Sequence, residues 1–208
     1  MEVVETRTLG EGWLGISRRI LEAGADATYD GQATKELATV TLAVAEPDPE
    51  DELIASLADP DWLDWMRRNF TEQDDVPELG GARSYGRRLR DYDGRDQVAW
   101  VIERLRADPE TRSATITTFQ PLVDTSYIPC VSLLDFWIAR GSLELVVYAH
   151  SLDFGKKAYG NLVELARLQQ EVAAAVAGSV GRLLIHAKSA HVYDAELETM
   201  RRLTTVAA

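Results

Sequence analysis

The chain has 208 residues, 46% of them hydrophobic and 27% charged, and a formal net charge of −12. That length suits one domain with a full core, read here as a single unit over residues 1–208. No run approaches twenty consecutive apolar residues, so no membrane span is expected, and so acidic a surface argues against a nucleic-acid partner, whose phosphates require a basic footprint.

The elements follow in chain order. Residues 12–23 carry Trp13, Ile16, Ile20 and Leu21 at helical spacing, with Gly24 as a stop. "LATVTLAV" (37–44) alternates as a strand, and "AEPDPEDE" (45–52) reads as an acidic loop. "DPDWLDWMRRNF" (59–70) opens a short helix near Asp59 or Asp61. The polar "TEQDDVPELGGARSYG" (71–86) predicts a loop long enough to bear on ligand binding. Val98, Ile102 and Leu105 fit one face of a helix over 96–106, and "RSATITTF" (112–119) is a β-branched strand. Residues 131–150 predict a hairpin turning at Arg140-Gly141. "NLVELARLQQEVAAAVAG" (161–178) is a long, alanine-rich core helix. "RLLIHAKSAHVY" (182–193) is a strand, and a helix over 195–203 follows. Mixed elements in this order predict an α+β fold, a mixed sheet packed with a long core helix.

Cys130, the single cysteine, stands after Pro129 at the mouth of a predicted strand. With three histidines (His150, His186, His191) it makes no structural zinc pattern, and no metal is expected. A lone cysteine forms no internal disulfide, and "MEVVETRTLG" lacks a basic-then-apolar leader. The cytoplasm is therefore the expected compartment. Two readings of Cys130 stand side by side: a thiolate nucleophile facing a cleft, and a small apolar residue filling the core. Ser151, Asp153 and Asn161 lie in or beside the segment before the long helix, where Asn161 also suits an N-cap. His191 and Tyr193, two apart on a strand, share one face and could meet a ligand hydroxyl, or be satisfied within the fold.

The segments "IPC", "HSLDFGKKAYGNL" and "SAHVY", in this order and spacing, resemble thymidylate synthase, most closely its compact archaeal-type members. The resemblance extends over "SYGRRLRDYDGRDQVAWVIERLRADPETRSATITTF" and covers about residues 85–193. It implies the thymidylate synthase-like fold and one-carbon transfer from methylenetetrahydrofolate, as co-substrate, to C5 of a pyrimidine nucleotide such as dUMP, giving a methyl product. By that resemblance Cys130 is the nucleophile and Tyr85 belongs to the proton-transfer network. Asn161 reads the base, leaning toward uracil, while His191 and Tyr193 bind the sugar hydroxyl and Ser151 binds phosphate. Asp153 contacts the folate, with Trp62 and Trp65 beside it. Arg112 reaches into a neighbouring subunit, which implies a homodimer with shared active sites. Glu50, Glu52 and Glu78 are candidates for a glutamate that assists carbon transfer.

The sequence also departs from the pattern. His150 stands where the family carries a phosphate-binding arginine, and Arg112 is followed by Ser113 instead of a second arginine. A neutral imidazole lacks the fixed charge and the two-pronged grip of a guanidinium. Lys156, Lys157, Arg87 and Arg88 are candidates to replace the charge. Two further readings stay open: hydroxymethylation or methylation of an unusual pyrimidine or nucleoside, and a noncatalytic ligand-binding or regulatory dimer.

Overall fold

The computed structural model describes residues 1–125, 127–176 and 178–206. Among these, ten strands and seven helices follow in the order β1 (Glu2–Thr6), α1 (Leu9–Ala23), β2 (Ala25–Tyr29), β3 (Gln32–Val44), α2 (Glu52–Leu57), α3 (Pro60–Thr71), β4 (Asp75–Val76) and β5 (Ala82–Arg83). The order continues with α4 (Tyr85–Arg90), α5 (Gln97–Ala107), β6 (Thr115–Thr117), β7 (Val131–Ala139), β8 (Ser142–Ala149), β9 (Leu152–Asp153), α6 (Ala158–Ala175), β10 (Ser179–Tyr193) and α7 (Leu197–Val206). The α+β class predicted from the sequence is what the chain adopts.

The main sheet runs β1-β3-β10-β8-β7-β6, with β2 added to β3 and β9 to β10. Pairing is mixed: β1 lies parallel to β3 and β8 parallel to β10, while β3–β10, β7–β8 and β6–β7 are antiparallel. Strand alternation places Leu134, Phe136, Leu143, Leu145 and Val147 on the inner face, all fully buried. Helix α6 covers this face. Its Gln169, itself fully buried, donates to the carbonyls of Leu143 (2.8 Å), Gly181 and Arg182 (3.1 Å each), tying the helix to β8 and β10 where their register slips. Helix α3 crosses α6 at Gly160. An added Cβ there would stand 2.8 Å from the Met66 Cβ, so only glycine permits the approach.

Several boundaries differ from expectation. Helix α1 begins at Leu9 because Thr8 closes a capping box with Glu11, and α3 begins at Pro60 with Asp59 as its N-cap. The 112–119 strand shrinks to three residues: Thr118 turns out of the ladder, its N–H donating to the Ser132 carbonyl at the β7 bulge. Helix α6 starts three residues before Asn161, so that asparagine is no N-cap; its expected end at 178 passes Ala177, outside the described residues. The 71–86 stretch holds the small β4–β5 hairpin and a 3₁₀ turn over Pro77–Leu79. Strand β1 and the β2–β3 hairpin are additions. Asp30-Gly31, with φ of 50° and 74°, is the tight two-residue turn of that hairpin.

These elements converge at one rim of the sheet. Parallel β8 and β10 both end there, antiparallel β7 begins there, and the β9–α6 loop is held by Trp13, whose indole N–H donates to the Phe154 carbonyl (2.9 Å). The outer face of β7 and β8 leaves Leu133, Trp137, Val146 and Tyr148 exposed.

Candidate active site

A cleft of about 390 Å³ opens at this rim. It is lined by Cys130, Ser151, Asp153, Asn161, His191 and Tyr193, together with Tyr29, Asp30, Glu78, Tyr127 and Lys157. Eight residues singled out in the sequence, Glu78 and Lys157 among them, therefore meet in one cavity, although they come from separate elements and loops.

Cys130 is partly exposed and immediately precedes β7. Its carbonyl accepts from His150 N–H (3.0 Å), and the next residue's N–H donates to the Tyr85 hydroxyl (2.9 Å). Tyr85 is buried behind the strand and does not line the cleft, so its geometry is that of a group that positions the cysteine. Burial pushes the Cys130 thiol up to about 11; the Lys157 ammonium opposes this and the Asp153 carboxylate reinforces it. The resting residue is thus a thiol, and Lys157 is the cation that favours its ionisation. Because Cys130 is the sole cysteine, iodoacetamide reports on it alone. Its alkylation rate is expected to rise about tenfold per pH unit between pH 7 and 10. Lys157→Met is expected to slow alkylation several-fold at fixed pH; an unchanged rate would show that Lys157 does not act on the thiol.

Asn161 sits in the first turn of α6. Its Nδ2 donates to the Lys157 carbonyl (3.0 Å), while its Oδ1 is buried with no partner. His191, on β10, has a buried Nε2 that is also without a partner, while its Nδ1 lies 3.4 Å from the Ser151 hydroxyl. Burial lowers its pKa to about 4, so the ring is neutral at physiological pH. Two orphaned polar atoms in one cleft each cost stability unless a ligand completes them. Asp153, raised by burial to about 6 against the hydrogen bond from Gly155 N–H, presents a carboxyl group to the same space.

Other expected residues stand elsewhere. His150 lies beside the cleft, its Nδ1 3.5 Å from the Ser132 hydroxyl, and burial and Lys188 lower its pKa. Arg112 is exposed on the turn after α5. Trp62 and Trp65 pack edge to face (5.5 Å) and do not line the cleft; the Lys157 ammonium stands over both rings, at 5.7 and 5.8 Å. Of the three candidate glutamates only Glu78 lines the cleft. Glu50 pairs with Arg167, and Glu52 is exposed in α2. A second cleft, of about 530 Å³ near α3, α4 and α6, is lined by Arg67, Arg167 and Glu164 and holds their ion pairs, with no nucleophile.

Sequence reasoning did not single out Tyr29, Asp30 or Tyr127. Asp30-Gly31 was the available signal, since an Asp-Gly pair marks a hairpin that projects its flanking residues.

A family model described as thymidylate synthase matches residues 50–206. The chain belongs to the thymidylate synthase family. Among its relatives, a protein of Methanothermobacter marburgensis named "Putative thymidylate synthase" is 31% identical over 94% of both chains. One of the same name from Methanopyrus kandleri is 38% identical over 62% of this chain and 64% of its own length. A "Deoxyuridylate hydroxymethyltransferase" of Bacillus phage SP01 is 34% identical over 52% of this chain and 33% of its own. The family consists of enzymes that transfer a one-carbon unit to a pyrimidine, with methylenetetrahydrofolate as co-substrate. Among the described residues no helix is long and apolar enough to cross a membrane.

Proposed function

We propose that this protein transfers a one-carbon unit from methylenetetrahydrofolate to C5 of a uracil ring through a covalent bond between Cys130 and C6. The observation that carries the reading is the meeting, in one cleft, of the Cys130 thiol and the unpartnered Asn161 Oδ1. C5 of uracil is a weak nucleophile. Addition of the Cys130 thiolate at C6 forms the S–C6 bond and moves the ring π electrons toward the O4 oxygen, giving an enolate that reacts at C5. This divides one difficult step into easier ones. Asn161 holds the ring for it: Oδ1 accepts from the N3–H, and the remaining Nδ2 hydrogen is available to O4 as charge gathers there. Lys157 favours the thiolate. C5 then bonds to the transferred carbon and loses its proton, that carbon gives up its bond to the folate nitrogen and takes hydride or water instead, and elimination of Cys130 from C6 restores the ring and the free thiol.

Methylenetetrahydrofolate, when bound, supplies carbon at the formaldehyde level and, for a methyl product, the hydride. Asp153 fits the hydrogen-bonding edge of a pterin, because its carboxyl faces the cleft and retains an oxygen beyond the one bonded to Gly155. Glu78, which lines the cleft, is proposed as the carboxylate that assists at the pyrimidine. The product is proposed to be methyl. Hydroxymethyl is the second reading, favoured by the phage relative, and follows if water attacks in place of hydride. The expected result is release of tritium from C5 of a labelled uracil substrate, dependent on methylenetetrahydrofolate. Absence of release from labelled base, nucleoside and nucleotide alike would refute the reading and leave the noncatalytic alternative.

The active form is proposed to be a homodimer in the cytoplasm, where a lone catalytic thiol stays reduced. The sheet face bearing Leu133, Trp137, Val146 and Tyr148 supports this, because an apolar patch on open strands favours burial. Sedimentation is expected to give twice the 23.1 kDa chain mass. The pair Trp137→Glu and Tyr148→Glu is expected to give monomers; a monomeric wild-type protein would contradict the proposal.

A further inference from the structure

Resting on the one-carbon-transfer reading of this cleft, we infer that Tyr29 is a positioning residue for the substrate sugar. Its phenol, acting through the Ser151 hydroxyl, holds the His191 ring as the tautomer with hydrogen on Nε2, so that His191 meets the sugar hydroxyl as a donor.

The first observation is where Tyr29 comes from. Strand β2 has no buried residue, so it adds nothing to the core, and Tyr29 at its end is its one aromatic side chain. The Asp30-Gly31 turn, with both φ angles positive, folds the chain back along β3, whose Thr34 and Glu36 pair with Tyr193 and His191 of β10. Tyr29 thereby reaches across β3. Its ring packs on His191 (5.3 Å between centroids) and Tyr193 (6.5 Å) while remaining 39% exposed. A side chain placed in this way serves the cleft.

The second is a line of polar atoms behind His191. The Tyr29 phenol is hydrogen-bonded to the Ser151 side chain, and Ser151 Oγ lies 3.4 Å from His191 Nδ1. Ser151 is 3% exposed and His191 2%, so bulk water does not replace these contacts. The other ring nitrogen, Nε2, is buried with no partner among the described residues.

The direction of the bonds follows from the groups. A phenol is a stronger acid than an alcohol, so Tyr29 donates and the Ser151 oxygen accepts. The Ser151 hydrogen then goes to Nδ1. Burial raises the Tyr29 phenol and lowers His191 to about 4, so at neutral pH the phenol keeps its proton and the ring carries one hydrogen. With Nδ1 accepting, that hydrogen is on Nε2. A sugar hydroxyl also has a single hydrogen, and the Asp30 carboxylate, close enough to act on His191 and lining the same cleft, is the stronger acceptor for it. The sugar oxygen is left to accept, and Nε2–H supplies the donor. Without the Tyr29 phenol, Ser151 can equally accept from Nδ1–H. The ring then divides between two tautomers, and one presents a bare nitrogen to the sugar oxygen.

The test joins nitrogen NMR to binding. In the ligand-free full chain the His191 ring, assigned by its loss in His191→Gln, is expected to show the Nε2–H pattern. Tyr29→Phe, which keeps the ring packing, is expected to show a mixture of tautomers. Calorimetry then compares dUMP with 2′,3′-dideoxyuridine monophosphate. Both carry the phosphate, so its grip cancels in their affinity ratio. Tyr29→Phe is expected to lower the ratio about five- to tenfold, with the dideoxy compound itself weakened by less than about twofold. Ser151→Ala is expected to lower the ratio equally, and the double variant to lower it little further. An Nδ1–H ring in the wild type, a tautomer unmoved in Tyr29→Phe, or a ratio unchanged within about twofold overturns the inference, as does the absence of dUMP binding. Equal weakening of both nucleotides overturns it too, by giving Tyr29 a merely structural role. A shifted tautomer and a lowered ratio without C5 tritium release leave the inference standing and refute the one-carbon-transfer reading. Tritium release with an unchanged ratio does the reverse.

Discussion

Cys130→Ala is expected to lower one-carbon transfer by about 10³-fold or more, because no other group in the cleft can form the bond to C6. The substitution removes one sulfur at a partly exposed position next to the core. The fold is held there by the Tyr85 and His150 bonds to backbone, which alanine keeps. Ligand affinity is therefore expected to change by no more than about threefold, close to the effect of a small surface truncation. Steady-state rates and calorimetry on the same preparation separate the two effects. Residual activity within tenfold of wild type would remove Cys130 from the chemistry.

Asn161→Asp is expected to have the second-largest effect. The Lys157 carbonyl fixes the present amide, leaving Oδ1 to accept from uracil N3–H. An ionised aspartate would face that carbonyl and repel it. A protonated aspartate would offer a donor where uracil also has a donor, but where cytosine has an acceptor. Breaking one buried bond and leaving its partner unsatisfied costs about 1–3 kcal/mol. The ratio of kcat/KM for uracil over cytosine substrates should then fall by about 10- to 100-fold. A ratio unchanged within threefold would show that another residue reads the base.

Much of this was legible in the sequence. Alternation in residues 131–150 and 182–193 marked β7, β8 and β10, because one face of each strand is buried and period two survives. The long core helix was visible from composition alone. Local pattern left Cys130 undecided between core and cleft, and left His191 and Tyr193 as a pair on a strand. Only the combined spacing of "IPC", "HSLDFGKKAYGNL" and "SAHVY" pointed to one site, and the cleft brings those residues together.

What the sequence hid has physical causes. β1 is five residues at the sheet edge with no buried position, so it carries no apolar run. β2 is almost wholly exposed, and its hairpin shows only in the Asp30-Gly31 turn. The four candidate cations looked alike in sequence. Their partners are 12 to 95 residues away, from Arg87 and Asp75 to Lys157 and Trp62, and partner choice at that separation depends on the folded chain. Glu50, Glu52 and Glu78 were likewise indistinguishable until the β4–β5 hairpin carried Glu78 to the cleft.

The most direct test of the central claim is a mass measurement on the protein incubated with methylenetetrahydrofolate and 5-fluorodeoxyuridine or its monophosphate. Fluorine at C5 cannot leave as a proton does, so the reaction should stall with sulfur bonded to C6. A covalent adduct on the peptide that carries Cys130, absent in Cys130→Ala, is the predicted result. An unmodified Cys130 peptide with both compounds, under conditions where either is bound, would contradict the account.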